Sequence, residues 1–164
     1  MKDEIYYRDQ TPPELCLRLI EYVPIEFGDT VWEPFRGEGA FYNAIRRKTQ
    51  LTTWSEIEDG KDYKDIEGNF DWIITNPPFK LDGKSSFGRL FMELAHRCNK
   101  GFAFLGNDYC FTALTTSRMK KLNDIGLYLT KIILCNVKKW RGRYYFIIFT
   151  RSETSAMEYL SESY

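Results

Sequence analysis

The sequence holds few of the residues that bind metal ions and no run long enough to cross a membrane. It has one histidine, His96, and its four cysteines never stand in a C-x-x-C pair, so a protein zinc site is not expected. No apolar stretch approaches the roughly 20 residues of a membrane-spanning helix, and the polar start at residues 1–4 is not a secretion signal. Because scattered thiols also fit a reducing compartment, we expect a cytoplasmic protein without a metal or a membrane partner.

The net charge is zero, but the charges are unevenly distributed. Residues 1–75 hold 9 Lys and Arg against 16 Asp and Glu, whereas residues 76–164 hold 14 against 7. A basic half indicates that a polyanion such as nucleic acid docks on one side. A solvated surface is the other interpretation, because the pI of 6.6 is lower than that of a dedicated nucleic-acid-binding domain.

Short apolar runs alternate with helical patterns along the chain. Strands are predicted at 30–32, 51–55, 70–75 and 101–105, and helices at 11–23, 40–48, 84–97 and 112–123. This alternation predicts an α/β fold with a doubly wound, mostly parallel sheet, whose ligands lie beyond the carboxyl ends of the strands. The last two β-rich runs, 128–137 and 144–150, predict an antiparallel hairpin.

The segment Asn76-Pro77-Pro78-Phe79 directly follows the predicted strand at 70–75. The two prolines lack backbone donors and fix their own φ angles, and they keep Asn76 out of the helical region. We call these four residues the ledge: a rigid segment with the Asn76 amide at one end and the Phe79 ring at the other. Such a segment can bind a planar group that bears an exocyclic amine. The alternative is a Pro-Pro turn that only ends a strand.

Three further polar segments follow predicted strands. The loop at 33–39 contains Gly37 and Gly39, which allow a tight turn and a close approach to a ligand. It begins with a carboxylate and lacks the P-loop lysine, so it suits a cationic group better than a pyrophosphate. Glu56 ends the next strand, where an acid can bind two ribose hydroxyls, and Asp62-Tyr63 follows shortly after.

The order of these segments resembles a known family. The chain is similar to class I S-adenosylmethionine-dependent amino-methyltransferases, specifically the N6-adenine DNA type in which the cofactor motif precedes the catalytic one. Residues 11–14 resemble its T-P-P-E segment, residues 31–41 its V-L-E-P-x-x-G-x-G-x-F loop, and residues 55–58 its V-E-I-D segment. Residues 62–63 resemble its D-F pair, and residues 70–79 resemble its strand with the N-P-P-[YF] motif.

The resemblance implies a role for each motif residue. The catalytic residues would be Asn76, Pro77, Pro78 and Phe79. The residues that would bind S-adenosylmethionine, with S-adenosylhomocysteine as the product, are Thr11, Pro12, Glu33, Pro34, Phe35, Gly37, Gly39, Glu56, Ile57, Asp62, Tyr63 and Asn76. Glu56 would bind the ribose, Ile57 would pack on the adenine ring, and Asp62 would accept from the adenine amine.

The family has a Rossmann-like fold, from which this sequence departs twice. Five residues separate Glu56 from Asp62, too few for the usual helix and third strand, so we expect a sheet trimmed at that edge. Members that act with selective DNA-cleaving partners carry a target-recognition domain, and no segment here is long enough to be one. We therefore expect one catalytic domain over residues 1–164, with target choice by loops at 80–88 and 138–143, by a protein partner or by self-association, or with little selectivity among target sites.

The implied reaction is methylation of the N6 amine of adenine in DNA. Because the base must reach the ledge, it must be flipped out or single-stranded. Phe79 would stack on it, and Trp140 is the candidate for the opposite face, with Tyr144 behind it. The residues expected to bind the nucleic acid are Lys80, Lys84, Lys138, Lys139, Trp140, Arg141 and Arg143.

Two alternative functions remain open. Enzymes with the same motif methylate adenine or guanine amines in RNA, or a glutamine amide in a release factor. Methylation of cytosine N4 is less expected, since those enzymes more often carry Ser at the position of Asn76. The second alternative is a decayed methyltransferase fold that serves as a DNA-binding or partner subunit. Minimal cores of this kind are also associated with viruses and mobile elements.

Overall fold

The computed structural model describes residues 10–78 and 87–151, which form one mixed sheet flanked by helices. The strands are β1 (Val31–Glu33), β2 (Thr52–Trp54), β3 (Phe70–Thr75), β4 (Cys98–Asn107), β5 (Tyr128–Cys135) and β6 (Tyr144–Thr150). The helices are α1 (Pro13–Ile20), α2 (Ala40–Ile45), α3 (Phe87–Ala95), α4 (Asp108–Thr112) and α5 (Thr116–Asp124). Two 3₁₀ turns, Ile57–Asp59 and Tyr63–Asp65, connect β2 to β3.

The strand order across the sheet is β2-β1-β3-β4-β6-β5. The first four strands pair in parallel, while β6 runs antiparallel to β4 and β5 runs antiparallel to β6. The chain leaves β1 for the edge strand β2 and then returns to β3 on the other side of β1. This arrangement confirms the predicted α/β fold with a mostly parallel sheet and an antiparallel hairpin, and it places a crevice beside the end of β1.

Alternate residues of the strands pack on opposite faces of the sheet, as the two-residue period of a strand requires. On one face, Trp32, Ile73 and Phe104 pack against α3 and α5. On the other face, Val31 and Ile74 pack against α1 and α2. The central strands are therefore buried on both sides, which is typical of parallel strands.

β4 and the helix predicted at 112–123 differ from the prediction for reasons that the tertiary structure shows. β4 extends beyond 101–105 at both ends, because it pairs with β3 on one side and with β6 on the other. The helix predicted at 112–123 is replaced by α4 and α5, since the side chains of Asn107 and Thr115 each cap a separate helix. The segment between β2 and β3 forms the two 3₁₀ turns and adds no strand, so β2 is the sheet edge, as expected from the short spacing. Within the described residues, no helix is long and apolar enough to cross a membrane.

A buried carboxylate ties the strands together at the edge of the sheet where the parallel strands begin. Asp29 is 5% exposed and accepts hydrogen bonds from the Trp72 indole (3.1 Å), the Glu26 amide (2.9 Å) and the Lys100 ammonium (2.7 Å). Burial alone would raise the pKa of Asp29, but the hydrogen bonds from Lys100, Glu26 and Trp72 lower it below its ordinary value. The ionised form is therefore the one that the fold stabilises.

Replacing Asp29 by alanine is expected to lower the free energy of unfolding by about 1–3 kcal/mol at pH 7, because buried donors lose their acceptor. Since folding lowers this pKa, the contribution is present above the ordinary carboxyl pKa of about 4 and is lost as the pH falls through the lowered value. Urea unfolding of the wild type and the Asp29→Ala variant at several pH values measures the difference.

Asp124→Ala, which removes an exposed ion pair with Lys120, is the matched control and should change the free energy of unfolding by less than about 1 kcal/mol. Equal effects of the two substitutions would contradict the network.

Candidate active site

A cavity of about 530 Å³ opens beyond the carboxyl ends of β1, β2 and β3. It lies between β1 and β3, whose connections run to opposite sides, to β2 and to β4, and this is where open α/β sheets bind their ligands. Ten of the twelve residues predicted to bind the cofactor line it: Thr11, Glu33, Pro34, Phe35, Gly37, Glu56, Ile57, Asp62, Tyr63 and Asn76. Segments that are up to 65 residues apart in the sequence thus meet around one space.

The glycine turn after β1 forms one wall of the cavity. Gly37 has a φ of 52° and Gly39 a φ of 87°, values that favour glycine. A Cβ on Gly37 would lie 2.7 Å from the Gln10 side-chain oxygen, but that flexible side chain can move away, so the positive φ is what favours glycine at this position. The same oxygen of Gln10 accepts a hydrogen bond from the Glu38 amide (3.3 Å). Gly39 does not line the cavity and instead starts α2.

Glu33, the last residue of β1, places a buried carboxyl group in the cavity wall. It is 2% exposed, and its Oε2 atom has no hydrogen-bond partner within the described residues. Burial raises the pKa of Glu33 well above its ordinary value and Glu56 raises it further, while the Tyr42 amide and Arg36 oppose the rise. A buried carboxyl oxygen without a donor is costly, so this site favours a ligand that brings a donor, above all a cationic one.

The turns after β2 carry two more carboxylates to the cavity. Glu56 Oε2 accepts from the Gly37 amide at 2.6 Å, which links this turn to the glycine turn. Asp62 Oδ1 accepts from the Lys64 amide at 3.0 Å. Ile57 is 71% exposed although it is apolar, and its position on the cavity wall makes it available to pack against a flat ligand group.

Asn76, Pro77 and Pro78 line the cavity at the end of β3. The Asn76 side-chain Nδ2 donates to the Thr11 hydroxyl at 3.0 Å, and Thr11 is 8% exposed. This hydrogen bond orients the amide, and its oxygen accepts no hydrogen bond from the described residues. Asn76 therefore presents an acceptor beside two prolines that have no N–H to compete for it.

The loop between β5 and β6 covers part of the same cavity. Tyr144 pairs with Asn107 in the sheet, which places the start of β6 beside the carboxyl end of β4. The rings of Trp140 and Tyr144 line the cavity, and their centroids are 4.5 Å apart. Arg143 Nε donates to the half-exposed Asp108 carboxylate at 3.3 Å, which partly offsets the charge of this predicted DNA-binding residue.

The remaining predicted residues lie elsewhere. Pro12 and Lys139 line an adjoining recess of about 200 Å³. Lys138 and Arg141 are exposed in the β5–β6 loop and line neither space. Phe79, Lys80 and Lys84 fall outside the described residues, so their roles remain predictions.

Five residues that line the cavity have no role in the sequence-based prediction: Gln10, Arg36, Ala40, Phe41 and Lys64. Gln10 directly precedes the T-P-P-E-like segment, and Arg36 occupies a variable position inside the glycine loop. Neither Gln10 nor Arg36 has a motif of its own, and each reaches the cavity through contacts that only the tertiary structure creates.

The buried cysteines are poor nucleophiles, since burial raises the pKa of Cys98 and Cys110 to about 11. Within residues 10–78 and 87–151, no three His, Cys, Asp or Glu side chains group as metal ligands.

No protein-family model matches the chain, and no curated protein sequence matches it. Solved structures are similar to it in fold. A methyltransferase from Pyrococcus furiosus has a TM-score of 0.59 at 19% identity, over 86% of this chain and 83% of that one. A magnesium protoporphyrin IX methyltransferase from Synechocystis PCC 6803, with bound S-adenosylmethionine, has a TM-score of 0.61 at 12% identity, over 90% and 81%. A "modification subunit of a putative type I restriction enzyme" from Vibrio vulnificus YJ016 has a TM-score of 0.63 at 12% identity, and this chain spans 44% of it. The chain therefore shares the α/β fold of solved methyltransferases.

Proposed function

We propose that the protein transfers a methyl group from S-adenosylmethionine to the N6 amine of adenine in DNA, on a flipped or single-stranded base. The observation that carries this proposal is the shared cavity. It joins the buried, partnerless oxygen of Glu33 to the oriented amide of Asn76. One side suits a cationic cofactor, and the other suits an amine that donates hydrogen bonds.

The cavity residues fit S-adenosylmethionine chemically. The Glu33 oxygen could accept from the ammonium of the methionine part, the charge that a buried carboxyl favours. Glu56 could accept from the ribose hydroxyls in place of its present bond to the Gly37 amide. Ile57 and the Phe35–Tyr63 ring pair, whose centroids are 5.0 Å apart, supply apolar surface for the adenine. When bound, the cofactor supplies an electrophilic methyl group on a sulfonium.

The role of the ledge follows from the weak nucleophilicity of an adenine amine, whose lone pair is delocalised into the ring. In this proposal the Asn76 oxygen and the Pro77 carbonyl accept hydrogen bonds from the two N–H groups of the amine, which favours a more tetrahedral nitrogen. Positioning and oriented dipoles of this kind contribute on the order of several kcal/mol to barrier lowering. The proton leaves after the nitrogen has become cationic, so a strong general base is not needed.

An extruded base can be held by stacking. Each base–aromatic stack contributes about 1–3 kcal/mol, and Trp140 lies on the cavity wall with Tyr144 against it. We propose these rings as one stacking face and Phe79 as the other. Target choice would then depend on the loops around the cavity or on a partner protein.

Transfer of labelled methyl groups to separate pools of DNA, RNA and protein tests the proposal. We expect label in DNA, recovered as N6-methyladenine after hydrolysis. Label in RNA alone would favour the RNA alternative, and label in protein alone would move the substrate to a side-chain amide. Absence of calorimetric binding to S-adenosylmethionine by the folded protein would instead support a decayed fold.

Neutralising Lys138, Lys139 and Arg141 with glutamine is expected to weaken DNA binding and to flatten its salt dependence. Each lost phosphate contact lowers the slope of log K against log salt by about 0.7–0.9, so we expect a decrease of roughly two. Arg143 is left intact because Asp108 already engages it. The control replaces Arg46, Arg47 and Lys48 by glutamine. These residues follow α2, at the opposite edge of the sheet. An unchanged slope in the loop variant would reject this docking surface.

A further inference from the structure

Residues 56–62, which the proposed function places beside the cofactor's adenosine half, contain no buried side chain. The sheet ends at β2, and neither 3₁₀ turn beyond it contains a buried residue. Ile57, at the centre of the predicted adenine contact, is 71% exposed. If this segment became ordered only when the ligand binds, the cost of ordering would lower the affinity. Polar contacts that hold the segment in place before the ligand binds would avoid this cost.

A cluster of charged side chains around one indole ring supplies these contacts. The Arg36 guanidinium lies over the Trp54 ring, 4.1 Å from its centroid, and the Lys61 ammonium lies over the same ring at 4.3 Å. Arg36 also forms an ion pair with Asp59. We call Arg36, Trp54, Asp59 and Lys61 the Trp54 clamp.

The clamp joins three segments that lie around the cavity. Arg36 belongs to the glycine turn, Trp54 is the last residue of β2, and Asp59 and Lys61 belong to the turn beyond it. Lys61 exchanges two backbone hydrogen bonds with Glu56, at 2.8 and 3.1 Å. The position of the Glu56 carboxylate, predicted to bind ribose, is thus coupled to the contacts on the indole.

We propose that the Trp54 clamp holds Glu56 and Ile57 in place for the adenosine half of the cofactor. Trp54 and Lys61 do not line the cavity, so they act as positioning residues. The clamp takes over the support that a further strand would provide beyond β2. This inference rests on the proposed function, because it takes S-adenosyl compounds as the ligands.

Calorimetry with S-adenosylhomocysteine and with 5′-methylthioadenosine tests the clamp. We expect Trp54→Leu and Lys61→Met each to lower the affinity for both ligands by the same factor, about 5- to 30-fold, because both ligands contain the adenosine half. Trp54→Phe, which keeps a ring under the cations, should recover part of the affinity. Tyr22→Leu is the control, since Tyr22 is an exposed ring beneath Lys131, outside the cavity.

Amide hydrogen exchange separates positioning from general loss of structure. In Trp54→Leu, the amides of residues 56–62 should exchange faster while those of β3 and β4 keep their protection. Affinities within twofold of the wild type, or loss of protection throughout the sheet, would overturn the inference. If the wild-type protein binds neither ligand, both the proposed function and the role of the Trp54 clamp are rejected. If the variants bind both ligands normally, only the role of the Trp54 clamp is rejected.

Discussion

Replacing Asn76 by alanine is expected to lower methyl transfer to adenine by about 10²–10³-fold, the usual effect of removing one oriented polar group from an active site. The variant loses the side-chain oxygen that would accept from the target amine. Its affinity for S-adenosylmethionine should stay close to that of the wild type, because the Glu33 and Glu56 carboxylates are untouched. Single-turnover methylation of an adenine-containing oligonucleotide, together with calorimetry, separates the two effects.

Two further variants sharpen this test. Thr11→Val removes the hydroxyl that accepts from the Asn76 amide, so the amide keeps its oxygen but loses its orientation, and a smaller loss of about tenfold is expected. Asn69→Ala, just before the other end of β3, is the matched control and should turn over normally. Wild-type turnover by Asn76→Ala would refute the ledge mechanism.

Replacing Glu33 by glutamine is expected to lower the affinity for S-adenosylmethionine about 10- to 100-fold, the typical effect of losing a hydrogen bond with a charged partner. The same substitution should stabilise the fold. Because the pKa of Glu33 is raised in the folded protein, the folded state keeps a proton that the unfolded chain releases above the ordinary carboxyl pKa. Wild-type stability therefore falls as the pH rises between the ordinary and the raised value, and the glutamine variant escapes that loss.

The pH dependence of binding provides a second readout. A cationic ligand needs the ionised carboxylate, so the wild-type affinity should rise with pH across the same window and binding should release a proton. Calorimetry in two buffers with different ionisation heats counts that proton, and thermal unfolding measures the stability. If the glutamine variant binds as tightly as the wild type, or unfolds at a lower temperature, this role for Glu33 is wrong.

The parts of the fold that could be predicted are those whose signal is local. β3 was predicted at its observed bounds because the apolar run 70–75 stops at a pair of prolines. The hairpin of β5 and β6 was predicted from two β-rich runs around a polar loop. The extra length of β4 could not be predicted, because its end residues are strand only by pairing with β3 and β6, which are distant in the sequence.

The same distinction applies to the site. Glu33 ends β1, and Glu56 and Asn76 follow the ends of β2 and β3. Parallel strands bring such ends to one edge of the sheet, so the meeting of these three residues was predictable. The hydrogen bond between Asn76 and Thr11 and the contacts of Arg36 with Trp54 and Asp59 were not, because they join side chains from segments without a shared pattern. Side-chain pairing across loops depends on the final packing of the chain.

Base-resolved mapping of modified adenines in DNA from a host that lacks its own methylation tests the central claim most directly. With the wild-type protein expressed, the account predicts N6-methyladenine in the DNA, and no such signal with Asn76→Ala at equal protein level. Unmodified DNA in cells that contain the folded wild-type protein, shown in vitro to bind S-adenosylmethionine, would contradict it.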